Sequence, residues 1–264
     1  AEEAAIERSA APPQPRSERA PASGFRLPAE WEPTSTVVMT WAGHSEVLKG
    51  ISVAAAAAGA DVWMVGGPSS IAGVSAGKYR SLPLGFNSIW SRDYGPVGIN
   101  EVTNKVGIVD TTYRHFSVRR EDDAMSCRLA EQLGASCHPT RLILDGGNYM
   151  ADGKGNLFLT SRVYDWNRSM SREAVNELLR SHLGAETIHI LDYAKSPNGE
   201  PADGTGHIDM FAKLVGDCKV LVAQTTNEPF KTVTEKAAAY FAQLPCGDGT
   251  YQVTRVKGWL RGRT

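Results

Sequence analysis

The hydrophobic and polar positions repeat four times along the chain in one order: an apolar run of strand length, a helical segment, a glycine and a second short apolar run. The copies begin with STVVMTWA, VGIVDTTY, NLFLTSRVY and KVLVAQTT, and their helical segments lead to Gly59, Gly134, Gly184 and Gly247. Short apolar runs are typical of buried strands, and glycine is favoured where a helix ends in a left-handed conformation. The pattern predicts four strand-helix-strand units, which must pack together because one unit cannot bury its helix alone.

The third copy shows the helical pattern most clearly. Its segment SREAVNELLRSHL starts at Ser171, a residue type that caps helices. Its apolar side chains recur at helical spacing, as Val175, Leu178, Leu179 and Leu183. An open parallel sheet is the usual architecture for such units, and an arrangement of the units around an axis is the alternative.

Composition narrows the class of protein. The 264 residues are 42% hydrophobic and 22% charged, with a formal net charge of -1, as expected for one domain with a sizeable core. The longest apolar stretch, VAAAAAGADVWMVGG, is interrupted by Gly59 and Asp61 and falls short of the roughly 20 residues that span a bilayer. The sequence thus predicts no nucleic-acid partner and no membrane partner, and it leaves the oligomeric state open.

The first 24 residues differ from the rest of the chain. They are rich in Ala, Pro, Ser and charge and contain no aromatic residue, so they lack the apolar surface that offsets the entropy of ordering. We predict a flexible leader at 1–24 and one domain at 25–264. The first residue is not Met, which fits either a processed export product or an engineered start, and no signal segment is present to decide between them. We expect a secreted or periplasmic location in preference to the cytoplasm.

The four cysteines, Cys127, Cys137, Cys218 and Cys246, show no C-x-x-C spacing and no neighbouring histidine cluster. A structural zinc site is therefore not expected, and the sequence predicts no metal and no cofactor. We expect free, partly buried thiols, which say little about the redox compartment.

Three polar motifs each follow the closing strand of a unit and precede the next unit: WSRDYGP (90–96), LDGGNYM (144–150) and DGTGHIDMF (203–211). If the units surround an axis, these loops converge on one site. Asp93 and Asp209 would then suit a planar cation, since a guanidinium pairs bidentately with carboxylates. His207 would act as general acid and base, and Trp90 would wall the pocket and stack on the cation. Arg92, beside Asp93, has a local ion pair as its simpler interpretation.

The stretches LPAEWEPTSTVVMTWAG, WSRDYGP, LDGGNYMADGKGN and GHIDMF resemble the bacterial peptidylarginine deiminase and agmatine deiminase family of guanidine-modifying enzymes. The likeness runs in order from Leu27 to Val256. It implies a pentein-type α/β propeller of five ββαβ units around a pseudo-fivefold axis. It also implies that a Cys thiolate attacks the guanidinium carbon, that His207 expels ammonia, and that Asp93 and Asp209 hold the guanidinium.

The chain departs from this family at its C-terminal side. The family's nucleophilic Cys follows a His in the last unit, whereas this sequence continues for only 57 residues after His207. Cys246 lies at the helix-to-strand turn of the fourth unit, where the other units have a structural glycine. We therefore expect about four of the five units and no nucleophile, as in a truncated, inactive chain or a member that only binds.

The choice of substrate rests on fewer residues. GGNYM resembles the peptidylarginine branch, because the agmatine branch usually has Glu where Asp145 stands. Arg114, Arg119 and Arg120 would clamp the carboxylate of a C-terminal arginine, or they would form a solvated basic face beside the acidic residues that follow. The full set of expected substrate contacts is Trp90, Arg92, Asp145, Gly146, Gly147, Asn148, Arg114 and Arg119.

The main hypothesis is a deiminase that converts a C-terminal peptidyl-arginine to citrulline through a Cys thiouronium intermediate. The alternatives are an agmatine deiminase that produces N-carbamoylputrescine, and a non-catalytic guanidine-binding or interaction protein on the same fold. The expected partner is an arginine-containing peptide or a small guanidine compound.

Overall fold

The computed structural model describes residues 16–102 and 105–258. Within these ranges the strands form four three-stranded sheets and one two-stranded pair. The strands are β1 (Thr36–Thr40), β2 (Asp61–Val65), β3 (Tyr79–Leu82), β4 (Val97–Asn100), β5 (Val106–Thr112), β6 (Ser136–Ile143), β7 (Tyr149–Ala151), β8 (Asn156–Thr160), β9 (Thr187–Leu191), β10 (Ala212–Gly216), β11 (Lys219–Gln224), β12 (Pro245–Cys246), β13 (Gly249–Thr250) and β14 (Gln252–Lys257).

The second, third and fourth sheets share one topology. Their orders are β4-β5-β6, β7-β8-β9 and β10-β11-β14. In each, an antiparallel hairpin is followed by a helix and then by a strand parallel to the second hairpin strand. This ββαβ order arises because neighbouring antiparallel strands need only a tight turn, whereas a parallel pair needs a crossover, here a helix. The first sheet differs, because β1, β2 and β3 are all parallel.

Helices provide the crossovers and the shorter connections. They span Ser45–Ala57, Ser91–Tyr94, Arg120–Asp123, Met125–Leu133, Arg162–Trp166, Arg172–Leu183 and Phe230–Gln243. Among the described residues, none of the helices has both the length and the apolar character needed to cross a membrane.

The helix Arg172–Leu183 matches its sequence prediction. The Ser171 hydroxyl accepts a hydrogen bond from the backbone N–H of Ala174, and the predicted apolar stripe is buried. The helix ends at Gly184, whose φ of 65° is left-handed, a conformation open to glycine because it has no Cβ.

Neighbouring sheets share hydrophobic cores. One cluster joins Phe158 of the third sheet to Val220 and Val222 of the fourth through Phe241 on the crossover helix. A second joins Val97 and Val109 of the second sheet to Leu157 and Leu159 of the third. The repeats therefore pack in sequence order, each unit burying the apolar face of the next.

The predicted leader contacts the domain over its second part. Arg16 forms ion pairs with Asp110 and with Asp123, the latter at 2.5 Å, and it is half-buried there. Residues 16–24 therefore lie against the domain instead of forming a flexible leader, because a charged anchor can hold a segment that has little apolar surface. The remainder of the predicted leader, 1–15, lies outside the described residues.

The expectation of free thiols is wrong. Cys127 pairs with Cys137 and Cys218 pairs with Cys246, with Cα–Cα distances of 5.4 Å and 5.6 Å. The pairs are 10 and 28 residues apart in sequence. Cys127 on the helix Met125–Leu133 meets Cys137 in β6, and Cys218 in the turn before β11 meets Cys246 in β12. The sequence spacing alone showed no such pairing.

Candidate active site

Three short helical turns carry the polar motifs. The helix Ser91–Tyr94 precedes β4, the 3-10 turn Gly146–Asn148 precedes β7, and the 3-10 turn Ile208–Met210 precedes β10. Each turn therefore lies where one unit passes to the next. The turns meet in space, because the packing of successive units brings these junctions to the same place.

Gly147 marks the point of convergence. A Cβ at this position would overlap Nδ1 of His207 and would lie 2.9 Å from Oδ1 of Asp93 and 3.0 Å from Oδ2 of Asp209. Only a residue without a side chain leaves this space free. One imidazole and two carboxylates thus surround a small volume that the backbone of the Gly146–Asn148 turn borders.

His207 is held between two carboxylates. Its Nε2 lies 3.2 Å from Oδ2 of Asp145, and its Nδ1 lies 3.5 Å from Oδ1 of Asp93. The ring is only 3% exposed, and the indole of Trp166 packs edge-on against it with the ring centroids 5.7 Å apart. A carboxylate only accepts hydrogen bonds, so Nε2 donates to Asp145.

Asp145 is completely buried and fully engaged. Its Oδ1 accepts a hydrogen bond of 3.1 Å from the backbone N–H of Arg114. Its Oδ2 lies 2.7 Å from Nε of Arg114, opposite His207. The guanidinium of Arg114 also lies 6.0 Å from the ring centroid of Trp166. The predicted substrate contacts Asp145 and Arg114 therefore form a buried ion pair with each other.

Asp209 is more accessible, with its side chain 25% exposed. Nε of Arg92 lies 3.6 Å from its Oδ2, and the same guanidinium donates a hydrogen bond to Glu30. Glu30 in turn pairs with Lys213. Arg92 thus belongs to a surface ion network at the edge of the site, and it pairs with the distant Asp209 and Glu30, whereas its simpler interpretation expected a pair with the neighbouring Asp93.

Burial and mutual charge shift the titration of these groups. Burial raises the pKa of Asp93 to about 6, with His207 opposing the shift and Asp145 adding to it. Burial also raises the pKa of Asp209. Burial alone would lower the pKa of His207, but the hydrogen bond to Asp145 and the charges of Asp145 and Asp93 raise it.

The pKa of Asp145 moves the other way. Burial would raise it, but the hydrogen bond from His207 and the charge of Arg114 lower it, so this carboxylate is ionised. His207 is therefore protonated over a wider pH range than a free imidazole. Groups whose pKa values are pushed apart in this way are typical of acid-base chemistry.

The remaining predicted residues lie at different distances from the convergence point. Trp90 precedes the helix Ser91–Tyr94 and is 47% exposed. Arg119 donates a hydrogen bond of 3.0 Å to the hydroxyl of Tyr113. A Cβ on Gly146 would overlap the backbone carbonyl of Arg92, so this glycine permits two of the turns to approach closely.

Asn148 is fully buried and contacts Thr160. Its Oδ1 accepts a hydrogen bond of 3.2 Å from the Thr160 backbone N–H and lies 2.8 Å from the Thr160 hydroxyl. That hydroxyl lies 2.6 Å from the carbonyl oxygen of Gly206. Asn148 and Thr160 thus connect the Gly146–Asn148 turn to the residue before His207.

Sequence reasoning missed Thr160 and Trp166. We expected NLFLTSRVY to continue as a strand, but the strand ends at Thr160 and the helix Arg162–Trp166 follows. That helix carries the indole to His207 and Arg114. No periodicity marks this change, so no signal in the sequence pointed to Trp166.

Asp93, Asp145 and His207 offer ligand atoms within 4.8 Å of one another, which is compatible with a cation. Nε of Arg114 already provides a positive charge at Oδ2 of Asp145. The sequence expectation of no metal stays a prediction.

The four-unit α/β architecture, with a buried histidine and three carboxylates at the unit junctions, is that of the pentein α/β propellers. The model of the Porphyromonas-type peptidyl-arginine deiminase family matches residues 26–257, and the chain belongs to that family. This confirms the family predicted from the four motifs.

Two relatives illustrate the likeness in sequence. Agmatine deiminase from Pseudomonas aeruginosa is 28% identical over 235 residues, covering 78% of this chain and 62% of the relative. Agmatine deiminase from Pseudomonas putida is 28% identical over 244 residues, covering 79% of this chain and 63% of the relative. The chain thus spans somewhat less than two thirds of the length of these relatives.

Solved structures agree in fold. Agmatine deiminase of Enterococcus faecalis superposes with a TM-score of 0.73 at 20% identity, covering 96% of this chain and 78% of that structure. Agmatine deiminase of C. jejuni gives a TM-score of 0.67 at 14% identity, covering 88% of this chain and 72% of that structure. The predicted pentein fold is confirmed.

Proposed function

We propose that this chain binds a small guanidine compound of the agmatine type and belongs to a guanidine deiminase. The observation that carries the proposal is the convergence of Asp93, His207 and Asp209 on the space beside Gly147. Two carboxylates beside an acid-base imidazole suit a planar cation that must lose an amino group.

Each group has a role in this proposal. Asp93 and Asp209 accept hydrogen bonds from the guanidinium nitrogens. A thiolate attacks the guanidinium carbon, His207 donates a proton as ammonia leaves, and water then displaces the thiolate to give the ureido product. All four cysteines of this chain are in disulfides, so none of them supplies that thiolate. We therefore expect binding by this chain, and turnover only where another thiolate completes the site.

The agmatine type is favoured over a C-terminal peptidyl-arginine, which was the main hypothesis from the sequence. The relatives described above are agmatine deiminases. The guanidinium of Arg114, an expected clamp for the peptide carboxylate, pairs with the buried Asp145. Arg119, which is half-buried and donates a hydrogen bond to the hydroxyl of Tyr113, remains a candidate to bind the peptide carboxylate. Because the matching family is named for peptidyl-arginine deiminases, a C-terminal peptidyl-arginine is the second candidate substrate.

The test is calorimetric titration of the chain with agmatine, with free arginine and with a peptide that ends in arginine. We expect agmatine to bind, and Asp209→Asn to weaken binding by about 10- to 150-fold, because a charge-assisted hydrogen bond contributes about 1.5–3 kcal/mol. Asp217→Asn is the matched control, since Asp217 is an exposed aspartate paired with Lys154.

Tighter binding of the peptide would select the second candidate. Absence of guanidine binding in the folded wild type would leave only an interaction role. In any preparation that releases ammonia from agmatine, His207→Ala should abolish that release, and an unchanged rate would contradict the role of His207.

The two disulfides bear on the cellular location of the protein. Disulfides form and persist in oxidising environments, so two of them support a secreted or periplasmic location. Alkylation of the protein taken directly from its source, without reduction, tests this. Labelling of all four cysteines would contradict it.

A further inference from the structure

We propose that Arg114 is a positioning residue of this site: it holds Asp145 as a fixed partner of His207 and withdraws Asp145 from substrate. The proposal rests on the proposed function only in naming His207 as the reacting acid and base. The contacts that support it are all between residues of this chain.

Asp145 is occupied by contacts with other groups of the chain. Both carboxylate oxygens are engaged by groups of the chain, Oδ1 by the backbone N–H of Arg114 and Oδ2 by Nε of Arg114 and Nε2 of His207. The residue has no exposed surface. A substrate guanidinium would reach it only by displacing Arg114, whereas Asp93 and Asp209 face the space beside Gly147.

The negative charges around His207 require a nearby cation. Three carboxylates, Asp93, Asp145 and Asp209, surround it. Arg114 places a buried positive charge 2.7 Å from Oδ2 of Asp145, and Arg92 lies beyond Asp209 at the edge. An unpaired buried carboxylate is costly, so Asp145 needs a cation that persists when His207 loses its proton. Arg114 is that cation, because a guanidinium stays charged throughout the working pH range.

The tautomer of His207 follows from this arrangement. With Asp145 fixed and ionised, the neutral imidazole keeps its proton on Nε2 and its lone pair on Nδ1. Nδ1 faces Asp93 and the space beside Gly147. Arg114 therefore decides which ring nitrogen exchanges protons with a bound guanidine.

The experiment follows the imidazole of His207 by ¹⁵N NMR over a pH titration. It compares wild type, Arg114→Met and Arg114→Lys. The control is Arg162→Met, because Arg162 is also buried and also lies over the ring of Trp166, at 5.6 Å from its centroid. Agmatine binding is measured separately on each folded protein.

We expect neutral His207 of the wild type to carry its proton on Nε2. Arg114→Met should shift the pKa of His207 upward, because the deprotonated state would then leave Asp145 without a cation. Arg114→Lys should return the pKa most of the way to the wild-type value, and Arg162→Met should leave it near that value.

Three results would overturn the proposal: a neutral tautomer protonated on Nδ1, an unchanged or lower pKa in Arg114→Met, or an equal shift in Arg162→Met. If Arg114→Met does not fold, the wild type and Arg114→Lys still test the proposal, because a neutral imidazole protonated on Nδ1 in either protein would contradict it. If the titrations are as expected but the wild type does not bind agmatine, the proposed function is rejected and the role of Arg114 stands.

Discussion

Substitution of Gly147 by Ala tests the candidate site most directly. The added methyl group would overlap Nδ1 of His207 and would lie 2.9 Å from Asp93 Oδ1 and 3.0 Å from Asp209 Oδ2. The backbone of Gly147 does not have a positive φ, so alanine adds no backbone strain. The perturbation is therefore confined to the space in which we place the guanidinium.

The magnitude follows from those distances. Carbon and oxygen atoms pack at about 3.3 Å or more, even in close C–H···O contacts, so the three side chains must shift apart. Overpacking of this kind costs about 1–3 kcal/mol of folding stability. Loss of one charge-assisted hydrogen bond to the ligand costs about 1.5–3 kcal/mol, which corresponds to an affinity about 10- to 150-fold lower.

The assay is calorimetric titration with agmatine, together with thermal unfolding to establish that the variant is folded. Gly77→Ala is the control, because Gly77 also lacks a positive φ and a Cβ there would meet no atom within 4 Å. The reasoning is refuted if folded Gly147→Ala binds agmatine within about twofold of wild type, a difference of about 0.4 kcal/mol.

Three further predictions concern pH, the disulfides and Thr160. Agmatine affinity should fall as the pH drops through about 6, where buried Asp93 gains a proton, and should be about tenfold below its plateau one unit lower; calorimetry on Asp93→Asn should show no such step. Reduction should lower the free energy of unfolding by about 3 kcal/mol for each disulfide, seen as an earlier denaturant midpoint, and an unchanged midpoint would show that the disulfides contribute nothing. Thr160→Val should cost about 1–3 kcal/mol in the same assay, because Asn148 and the Gly206 carbonyl lose a buried hydroxyl; a cost near zero would mean that this contact does not hold the two turns together.

Much of the fold could be predicted from the sequence, because strands and helices follow from local periodicity. The strand-helix-strand units, the capped helix after Ser171 and the left-handed end at Gly184 are of this kind, whereas the ββαβ order was implied only by the family resemblance. The helix Arg162–Trp166 was not predicted, since a short apolar run fits a strand as well as a helix. Residues 16–24 were read as flexible because composition does not show that Arg16 has two carboxylate partners about 100 residues away.

The sequence by itself determined the repeated units, the family and the three motifs that carry Asp93, Asp145 and His207, because each is a local pattern of residue types. Only the tertiary structure decided which of those side chains pair with each other and which face the candidate binding space. Arg114 and Asp145 are 31 residues apart, and Asp145 and His207 are 62 apart. The pairing of these three residues depends on distances that arise only when separate units pack. In our proposal this pairing withdraws Asp145 from substrate and leaves Asp93 and Asp209 to receive a guanidinium.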